Sequence, residues 1–384
     1  MLRLAALCLL LLASLPALAA QAFPFLNAPG AFAVGFRVVQ QHDASRSYPS
    51  TAQGKPRPIQ TAIWYPAQKG GQAMRYDDYL QLLGWDDDFD RTPAERNKVL
   101  AEWLKMVTGT KSAAEIAAER SDIRWAVRDA KPLPGKYPVV IYSPSLSSNV
   151  FENAEMMEFI ASHGYLVLAS PALGVDQRSQ RTDLAHAEAQ AADIRFLVGY
   201  AQSLPQADIT RLAVAGFSWG GMANVLAAAQ DERIKALVCL DGSVRYAHAM
   251  LEQVAYLKPE RLRTPLLYLA QRPQPFERGV RRKPDYSGSI LQKMTGADVY
   301  LVTMYAMEHV YFGSSYLRLD PLDLGDYTRD EIAQSYAQSA RYVLHFLNGA
   351  LKGDRDGFDY LRKKPEQLGL PRHSVGTQFF AARP

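Results

Sequence analysis

One serine of this sequence has neighbours that suit nucleophilic chemistry. Ser218 lies in the segment GFSWGG at residues 216–221, between an apolar run at 212–215 and a helix-forming run at 222–230. A strand, a sharp turn and a helix in that order expose a serine hydroxyl on a strained turn, and flanking glycines let the helix approach the strand closely. The pattern therefore predicts Ser218 as a nucleophile at the end of a buried strand.

A serine hydroxyl is a poor nucleophile until a base removes its proton, so a histidine is required nearby. With this kind of turn, the reacting residues follow the chain order serine, acid, histidine. His309 fits that order best, because it follows the last apolar run, residues 299–304, by a short loop and precedes the terminal helix. His248, early in a helical stretch after the run at 234–240, is the alternative.

The third group needed is a carboxylate that orients the imidazole and stabilises its charged form. Asp241 directly follows the apolar run at 234–240 and precedes Gly242, which permits a tight turn. The commoner position is one strand later, but residues 271–277 contain no aspartate and their first carboxylate is Glu277. We therefore predict Asp241 as the acid and keep Glu277 as the alternative.

The negative charge that develops on a substrate oxygen needs backbone N–H donors. The turn supplies the amide of Trp219, which directly follows the nucleophile. A second donor is expected from the loop after the apolar run at 138–142. In that loop Pro144 has no N–H and Ser143 is still close to the strand, so Leu146 is the predicted donor.

These residues require a scaffold that brings three distant segments together. From residue 137 onward, short apolar runs alternate with amphipathic helices, a pattern typical of βαβ units and a largely parallel sheet. The ends of parallel strands meet at one edge of such a sheet, which is where the predicted residues belong. The apolar runs are residues 138–142, 165–169, 212–215, 234–240, 265–270 and 299–304.

The segments outside this alternating region are predicted to extend and cover the sheet. Residues 31–40 and 58–65 indicate two antiparallel edge strands. Between about residues 70 and 131 the pattern becomes helical, and Thr92 begins a capping box with proline at the first helical position. Ser112 and Glu115 repeat this start signal. We expect an α/β fold with a mostly parallel central sheet flanked by helices, a helical insertion at about 70–131 before the oxyanion-loop strand, and a final helix at about 329–351.

The amino-terminal residues have the pattern of a secretory signal. Arg3 supplies a positive charge, residues 4–12 an apolar stretch, and residues 17–19 a small-x-small cleavage site. The apolar stretch is shorter than the roughly 20 residues that a membrane-spanning helix needs. We therefore expect a signal peptide at 1–20, an exported periplasmic or secreted protein without a stable membrane anchor, and a single domain at 21–384.

The composition excludes some functions and leaves one cysteine to consider. A formal net charge of +4 is small and its basic residues are dispersed, which argues against nucleic-acid binding. With 48% hydrophobic residues among 384, the chain can bury a substantial core. Cys8 would be lost with the signal, so Cys239 would remain alone and the mature chain could form no internal disulfide.

At these residues the chain resembles the dienelactone-hydrolase-like and platelet-activating-factor acetylhydrolase branch of the α/β-hydrolases. YPVVIYSPSLSS and IASHGYLVLASP, at residues 137–148 and 160–171, are similar to that branch's oxyanion-loop strand and to the helix and strand that follow it. RLAVAGFSWGG is similar to its nucleophile turn, and ALVCLDGSV to its acid placed one strand early. One departure is that Pro144-Ser145 stands here where the family usually has His-Gly before the oxyanion leucine.

The resemblance implies an α/β-hydrolase fold and a serine hydrolase that needs neither cofactor nor metal. We expect hydrolysis of a carboxylic ester with a small or lipid-like acyl group, through an acyl-enzyme. A peptidase or amidase on the same triad and a non-catalytic ligand-binding protein of the same fold are the alternatives, and the oligomeric state stays open. The implied site residues are the triad Ser218, Asp241 and His309 and the oxyanion donors Leu146 and Trp219.

Overall fold

The structure is a computed structural model that describes residues 22–49, 55–273, 289–321 and 324–383. The predicted signal peptide at 1–20 and the alternative acid Glu277 lie outside these residues. The strands of the described residues are β1 (Ala33–Ser47), β2 (Pro56–Ala67), β3 (Ala73–Arg75), β4 (Ile123–Arg128), β5 (Tyr137–Ser143), β6 (Leu166–Ala169), β7 (Ala207–Phe217), β8 (Ile234–Leu240), β9 (Leu266–Gln271), β10 (Val299–Met304) and β11 (Val375–Phe380).

Helices follow most of the strands, and several short 3₁₀ turns, including His309–Phe312, connect the elements. Among the described residues, no helix is apolar over a length sufficient to cross a lipid bilayer. The α-helices are α1 (Tyr76–Leu80), α2 (Pro93–Thr108), α3 (Ala113–Ser121), α4 (Ala154–Ser162), α5 (Leu184–Ala201), α6 (Trp219–Ala228), α7 (His248–Leu251), α8 (Ile290–Lys293), α9 (Ser314–Leu319), α10 (Arg329–Lys352) and α11 (Arg355–Arg362).

All the described strands form one sheet in the order β11-β10-β9-β8-β7-β5-β6-β2-β1-β4-β3. The six strands from β10 to β6 in this order are parallel to their neighbours. β2 pairs antiparallel with both β1 and β6, and β11 pairs antiparallel with β10. The predicted mostly parallel sheet is therefore confirmed, and it carries the ends of β5, β7, β8 and β10 to the same edge.

The alternation of side chains along the strands produces two cores, one on each face of the sheet. In β5, Val139 and Ile141 belong to one buried cluster, and Val140 and Tyr142 belong to the other. Apolar residues of α5 and α6 complete the first cluster, while those of α4 and α10 complete the second. Strands covered on both faces read as continuous apolar runs, which is why the sequence pattern located them.

The insertion at 70–131 differs from the purely helical expectation. It contains α1, α2 and α3, and the predicted capping boxes form at Thr92 and Ser112. It also begins with β3 and ends with β4, which pair with each other, while β4 pairs in parallel with β1. The inserted segment therefore lengthens the sheet in addition to packing beside it.

A buried ionic cluster joins this insertion to the rest of the fold. Arg318 of α9 is fully buried and donates to Glu119 at 2.6 Å, to Asp122 at 2.7 Å and to Glu155 of α4. Arg124 of β4 also contacts Asp122, at 2.7 Å. The insertion is thus tied by charge-assisted bonds to two helices of the main body.

Candidate active site

Ser218 lies at the sharp turn between β7 and α6. Its backbone has φ 52° and ψ −114°, a region that non-glycine residues avoid and that costs about 1–3 kcal/mol to occupy. Hydrogen bonds from both sides stabilise the turn: Ser218 donates its N–H to Leu240 at 3.0 Å and accepts from the N–H of Ser243 at 2.8 Å. The strand–turn–helix expected around Ser218 is present, and β8 holds the strained residue in place.

Two glycines after Ser218 are required by close backbone contacts. A Cβ on Gly220 would lie 2.1 Å from the carbonyl oxygen of Ser143 and 2.5 Å from that of Pro144. A Cβ on Gly221 would lie 2.7 Å from the Cα of Gly242. The amino end of α6 therefore packs directly against the loop after β5 and the turn after β8, the two segments predicted to carry the oxyanion donor and the acid.

The structure brings the three predicted triad residues into one hydrogen-bonded chain. His309 follows β10 by a short loop, and its Nε2 lies 2.8 Å from the Oγ of Ser218. Its Nδ1 lies 2.6 Å from Oδ2 of Asp241, which is fully buried at the end of β8. The imidazole is 38% exposed, so it is open to solvent on one side while both of its nitrogens are engaged.

The second oxygen of Asp241 also has two donors, which the sequence patterns did not reveal. Oδ1 accepts from the backbone N–H of Gln271 at 3.1 Å and from the hydroxyl of Tyr246 at 2.9 Å. Gln271 in addition accepts from the N–H of His309 through its side-chain oxygen at 3.1 Å. Gln271 therefore fixes both the acid and the histidine loop. The one feature of the sequence that pointed to this role was its position as the last residue of a core strand.

His248, the alternative histidine, makes no hydrogen bond with Ser218 within the described residues. His248 begins α7, and its buried Nδ1 has no hydrogen-bond partner within the described part of the chain. Glu277, the alternative acid, is outside the described residues. His309 rather than His248 occupies the position next to the serine hydroxyl.

The predicted oxyanion donors are both free to bind a ligand atom. Trp219 is the first residue of α6, where backbone N–H groups have no partner inside the helix. Across the described residues, neither its N–H nor that of Leu146 has a protein acceptor. Because Gly220 contacts the carbonyls of Ser143 and Pro144, the loop that contains Leu146 runs past the amino end of α6.

A buried carboxylate anchors the first half of this loop. Glu152 accepts from the N–H of Ser145 at 2.9 Å, from its hydroxyl, and from the hydroxyl of Tyr142 at 2.7 Å. The side chain is fully buried, and this burial raises the pKa of Glu152 above its ordinary value. Ser145 thus uses its hydroxyl to fix the loop, and no sequence pattern pointed to Glu152.

An aromatic side chain lies against the imidazole and connects it to a second aromatic ring. The ring of Phe217, the residue before the nucleophile, is 5.0 Å from that of His309 and 6.2 Å from that of Tyr316. Tyr316 also approaches the hydroxyl of Ser145 at 3.2 Å. These contacts join the histidine loop to the oxyanion loop on one side of the site.

Together these groups can move a proton from Ser218 to His309 while Asp241 orients the ring. The unpaired N–H groups of Trp219, at the amino end of α6, and of Leu146, in the neighbouring loop, can in turn receive a negatively charged oxygen.

Comparison with known proteins supports the fold. A family model described as Chlorophyllase matches residues 123–248, a segment that includes Ser218 and Asp241. The solved structure of a ferulic acid esterase from Streptomyces cinnamoneus matches with a TM-score of 0.65 and 20% sequence identity, covering 94% of this chain and 100% of the other. No curated protein sequence matches the chain. The parallel sheet, the serine turn between β7 and α6 and this match along almost the whole chain show that the protein has the α/β-hydrolase fold.

Proposed function

We propose that the protein hydrolyses a carboxylic ester through an acyl-enzyme on Ser218. The observation that carries the proposal is the continuous chain of hydrogen bonds from Ser218 Oγ to His309 Nε2, at 2.8 Å, and from His309 Nδ1 to Asp241, at 2.6 Å. This arrangement suits acyl transfer, because a neutral imidazole can accept the hydroxyl proton only if its other nitrogen carries the proton that the carboxylate binds.

In the first half of the reaction, Ser218 Oγ attacks the ester carbonyl carbon while His309 Nε2 takes the hydroxyl proton. The carbonyl oxygen becomes negatively charged and is stabilised by the N–H groups of Trp219 and Leu146. The C–O bond to the alcohol then breaks, and His309 returns the proton to the leaving oxygen. The products of this half are the free alcohol and the acyl ester of Ser218.

In the second half, water replaces the alcohol. His309 removes a proton from water as the oxygen attacks the acyl carbon, and the same two N–H groups stabilise the second tetrahedral intermediate. Collapse of the intermediate releases the carboxylic acid, and Ser218 Oγ recovers its proton from His309. Each step uses only groups of this chain and one water molecule.

An ester is favoured over an amide by the comparisons, since one names an esterase and the other a chlorophyllase family. A small or lipid-like acyl group is the substrate class that we propose. Export after cleavage near residue 20 is proposed alongside it, on the sequence pattern alone. Amino-terminal sequencing of the protein secreted by a bacterial host tests the export; a mature protein that begins at Met1 contradicts it.

Covalent labelling with a fluorophosphonate probe tests the nucleophile. The wild type and the Ser203→Ala variant, which alters an exposed serine distant from the site, are expected to label equally, and Ser218→Ala is expected not to label. Labelling that survives in Ser218→Ala refutes the assignment of the nucleophile.

A substrate panel then tests the reaction class. p-Nitrophenyl esters of increasing acyl length are expected to be hydrolysed, with p-nitroanilides of the same acids hydrolysed far more slowly. Faster turnover of the anilides assigns the site to amide substrates. Absence of turnover of both series, in protein that does not label, favours the non-catalytic binding protein.

A further inference from the structure

The residue after the predicted oxyanion donor has an unusual backbone conformation. Ser147 has φ 57°, in the left-handed region that non-glycine residues rarely occupy. Ser147 is the third residue of a turn that the N–H of Ser148 closes on the carbonyl oxygen of Ser145, at 3.0 Å, and that carbonyl belongs to the same peptide group as the N–H of Leu146. The direction of that N–H therefore depends on whether Ser147 is held in this conformation.

Three hydrogen bonds from a second loop hold Ser147. Its N–H donates to the side-chain oxygen of Gln180 at 3.0 Å, and its hydroxyl accepts from the N–H of Gln180 at 2.7 Å. Its carbonyl oxygen accepts from Nη1 of Arg178 at 2.9 Å. Every polar group of Ser147 is thus bonded to Arg178 or Gln180, so relaxation to an ordinary conformation would break these bonds.

The two holding residues are themselves fixed at their other ends. Arg178 donates twice to Asp86, at 3.2 and 2.6 Å, and Asp86 is 1% exposed and belongs to the inserted segment. Gln180 donates to buried Gln190 at 3.1 Å, and Gln190 donates to the carbonyl of Pro144 at 2.7 Å. The clamp, by which we mean Arg178 and Gln180, therefore connects the insertion and α5 to the oxyanion loop.

We propose that Arg178 and Gln180 are positioning residues that lock Ser147 in the left-handed conformation and thereby aim the N–H of Leu146 at the oxyanion, with Asp86 of the insertion anchoring Arg178. The inference rests on the proposed ester hydrolysis. It gives the inserted segment a part in transition-state stabilisation, through a carboxylate that does not reach the substrate.

The first variant is the double substitution Asp86→Asn with Arg178→Met, which removes the ion pair without leaving a buried charge unpaired. Loss of one oxyanion donor lowers kcat by about 10²–10³. Because the Trp219 donor stays and Leu146 is displaced rather than removed, we expect kcat for p-nitrophenyl acetate to fall about 10- to 100-fold. KM is expected to stay within about threefold, because the donor acts mainly on the transition state.

Gln180→Met is a second variant that breaks the other half of the clamp and is expected to show the same loss in kcat with little change in KM. Arg181→Met is the matched control, since Arg181 lies in the same loop and, within the described residues, forms ion pairs only with the exposed carboxylates of Asp176 and Asp183. Its kinetics are expected to equal those of the wild type. Gln180→Met decides the question if the double variant does not fold.

The same substitutions made in a Ser147→Gly protein distinguish a positioning role from a merely structural one, because only a positioning role makes the loss in kcat depend on residue 147. Glycine occupies the left-handed region without steric penalty, so in this background the double substitution is expected to lower kcat by only about threefold. Inhibition by a trifluoromethyl ketone, which forms a tetrahedral oxyanion on the serine, is expected to weaken in parallel with kcat.

The proposal is overturned if the double variant and Gln180→Met fold and keep kcat within about twofold of the wild type. It is also overturned if they lower kcat by the same factor whether Ser147 is present or has been replaced by glycine. A wild type that hydrolyses no ester would instead refute the proposed function. The two failures are therefore distinguishable.

Discussion

Replacement of Asp241 by asparagine is the most specific test of the site, because the hydrogen bonds around this residue determine the orientation of the new amide group. One oxygen of Asp241 accepts from the N–H of Gln271 and from the hydroxyl of Tyr246, at 3.1 and 2.9 Å. In Asp241→Asn the amide oxygen must keep these two donors, since an NH₂ group there would face them. The NH₂ group is then directed at Nδ1 of His309.

An NH₂ group at that position reverses the tautomer of the imidazole. Nδ1 of His309 must become an acceptor, so the proton moves to Nε2, the nitrogen that lies 2.8 Å from Ser218 Oγ. A protonated Nε2 cannot accept the serine proton. The same change in a serine protease triad lowers kcat by about 10⁴, which corresponds to about 5.4 kcal/mol of lost transition-state stabilisation.

The assay is steady-state hydrolysis of p-nitrophenyl acetate at pH 7.5, with thermal unfolding to confirm that the variant folds. We expect kcat to fall about 10⁴-fold, because the triad geometry is retained but the ring has the wrong tautomer. The matched control is Asp183→Asn, since Asp183 also contacts a histidine, with Oδ1 2.7 Å from Nδ1 of His186, away from Ser218. Asparagine caps a helix as well as aspartate does, so this control is expected to be fully active.

Retention of more than about a tenth of the wild-type kcat by Asp241→Asn refutes the reasoning, because a reversed tautomer permits no such activity. If Glu277→Gln were then inactive while Asp241→Asn was active, the acid would be Glu277. Loss of activity in both Asp241→Asn and Asp183→Asn, with lowered unfolding temperatures, would indicate a general effect on folding instead.

Three further changes have outcomes that the structure predicts. Arg318→Met breaks the buried ionic cluster, so urea denaturation at pH 7 is expected to show a free energy of unfolding that is lower by about 3–5 kcal/mol. Arg372→Met is the exposed control and is expected to change this free energy by less than about 0.5 kcal/mol. Burial would raise the pKa of Glu155, but Arg318 and Arg124 outweigh it and hold that pKa at about 2. The lowered pKa stabilises the folded state at pH values above 4.5, and this contribution is lost as the pH falls toward 2. The difference in free energy of unfolding between Arg318→Met and the wild type should therefore shrink below pH 4.5. A difference that grows on acidification contradicts this explanation. Gly220→Ala is expected to lower both kcat and the unfolding temperature, since its Cβ would lie 2.1 Å from a carbonyl oxygen of the oxyanion loop, and unchanged kinetics would show that the loop can move aside. Burial raises the pKa of the Cys239 thiol, so Ellman's reagent at pH 8 is expected to modify it only after unfolding, and rapid reaction of the native protein would contradict its burial.

The sequence by itself was sufficient for the features that depend on neighbouring residues. The turn at Ser218 was readable because the glycines, the preceding apolar strand and the following helix are adjacent in the chain. The capping boxes at Thr92 and Ser112 were readable for the same reason, since each is a bond between residues three apart. The core strands covered on both faces were located because burial on two sides demands an uninterrupted apolar run.

The pairing of the sheet edges was decided only by tertiary structure. β3 has three residues, too few to show an alternating pattern, and it becomes a strand because β4 lies beside it. β4 in turn pairs with β1, which is far away in the chain, and β11 pairs with β10 after three intervening α-helices. Such strands owe their conformation to a partner, so their own residues carry a weak signal.

The supporting residues of the site were likewise beyond the reach of local patterns. Gln271 contacts Asp241 across 30 positions of sequence, and Arg178 contacts Ser147 across 31. A polar side chain in a loop has the same appearance in the sequence whether it is solvated or buried against a partner. The sequence therefore determined which residues can react, through chemistry and local order, whereas only the packing of distant segments decided which residues hold them in place, because a contact between remote positions leaves no periodic trace in either one.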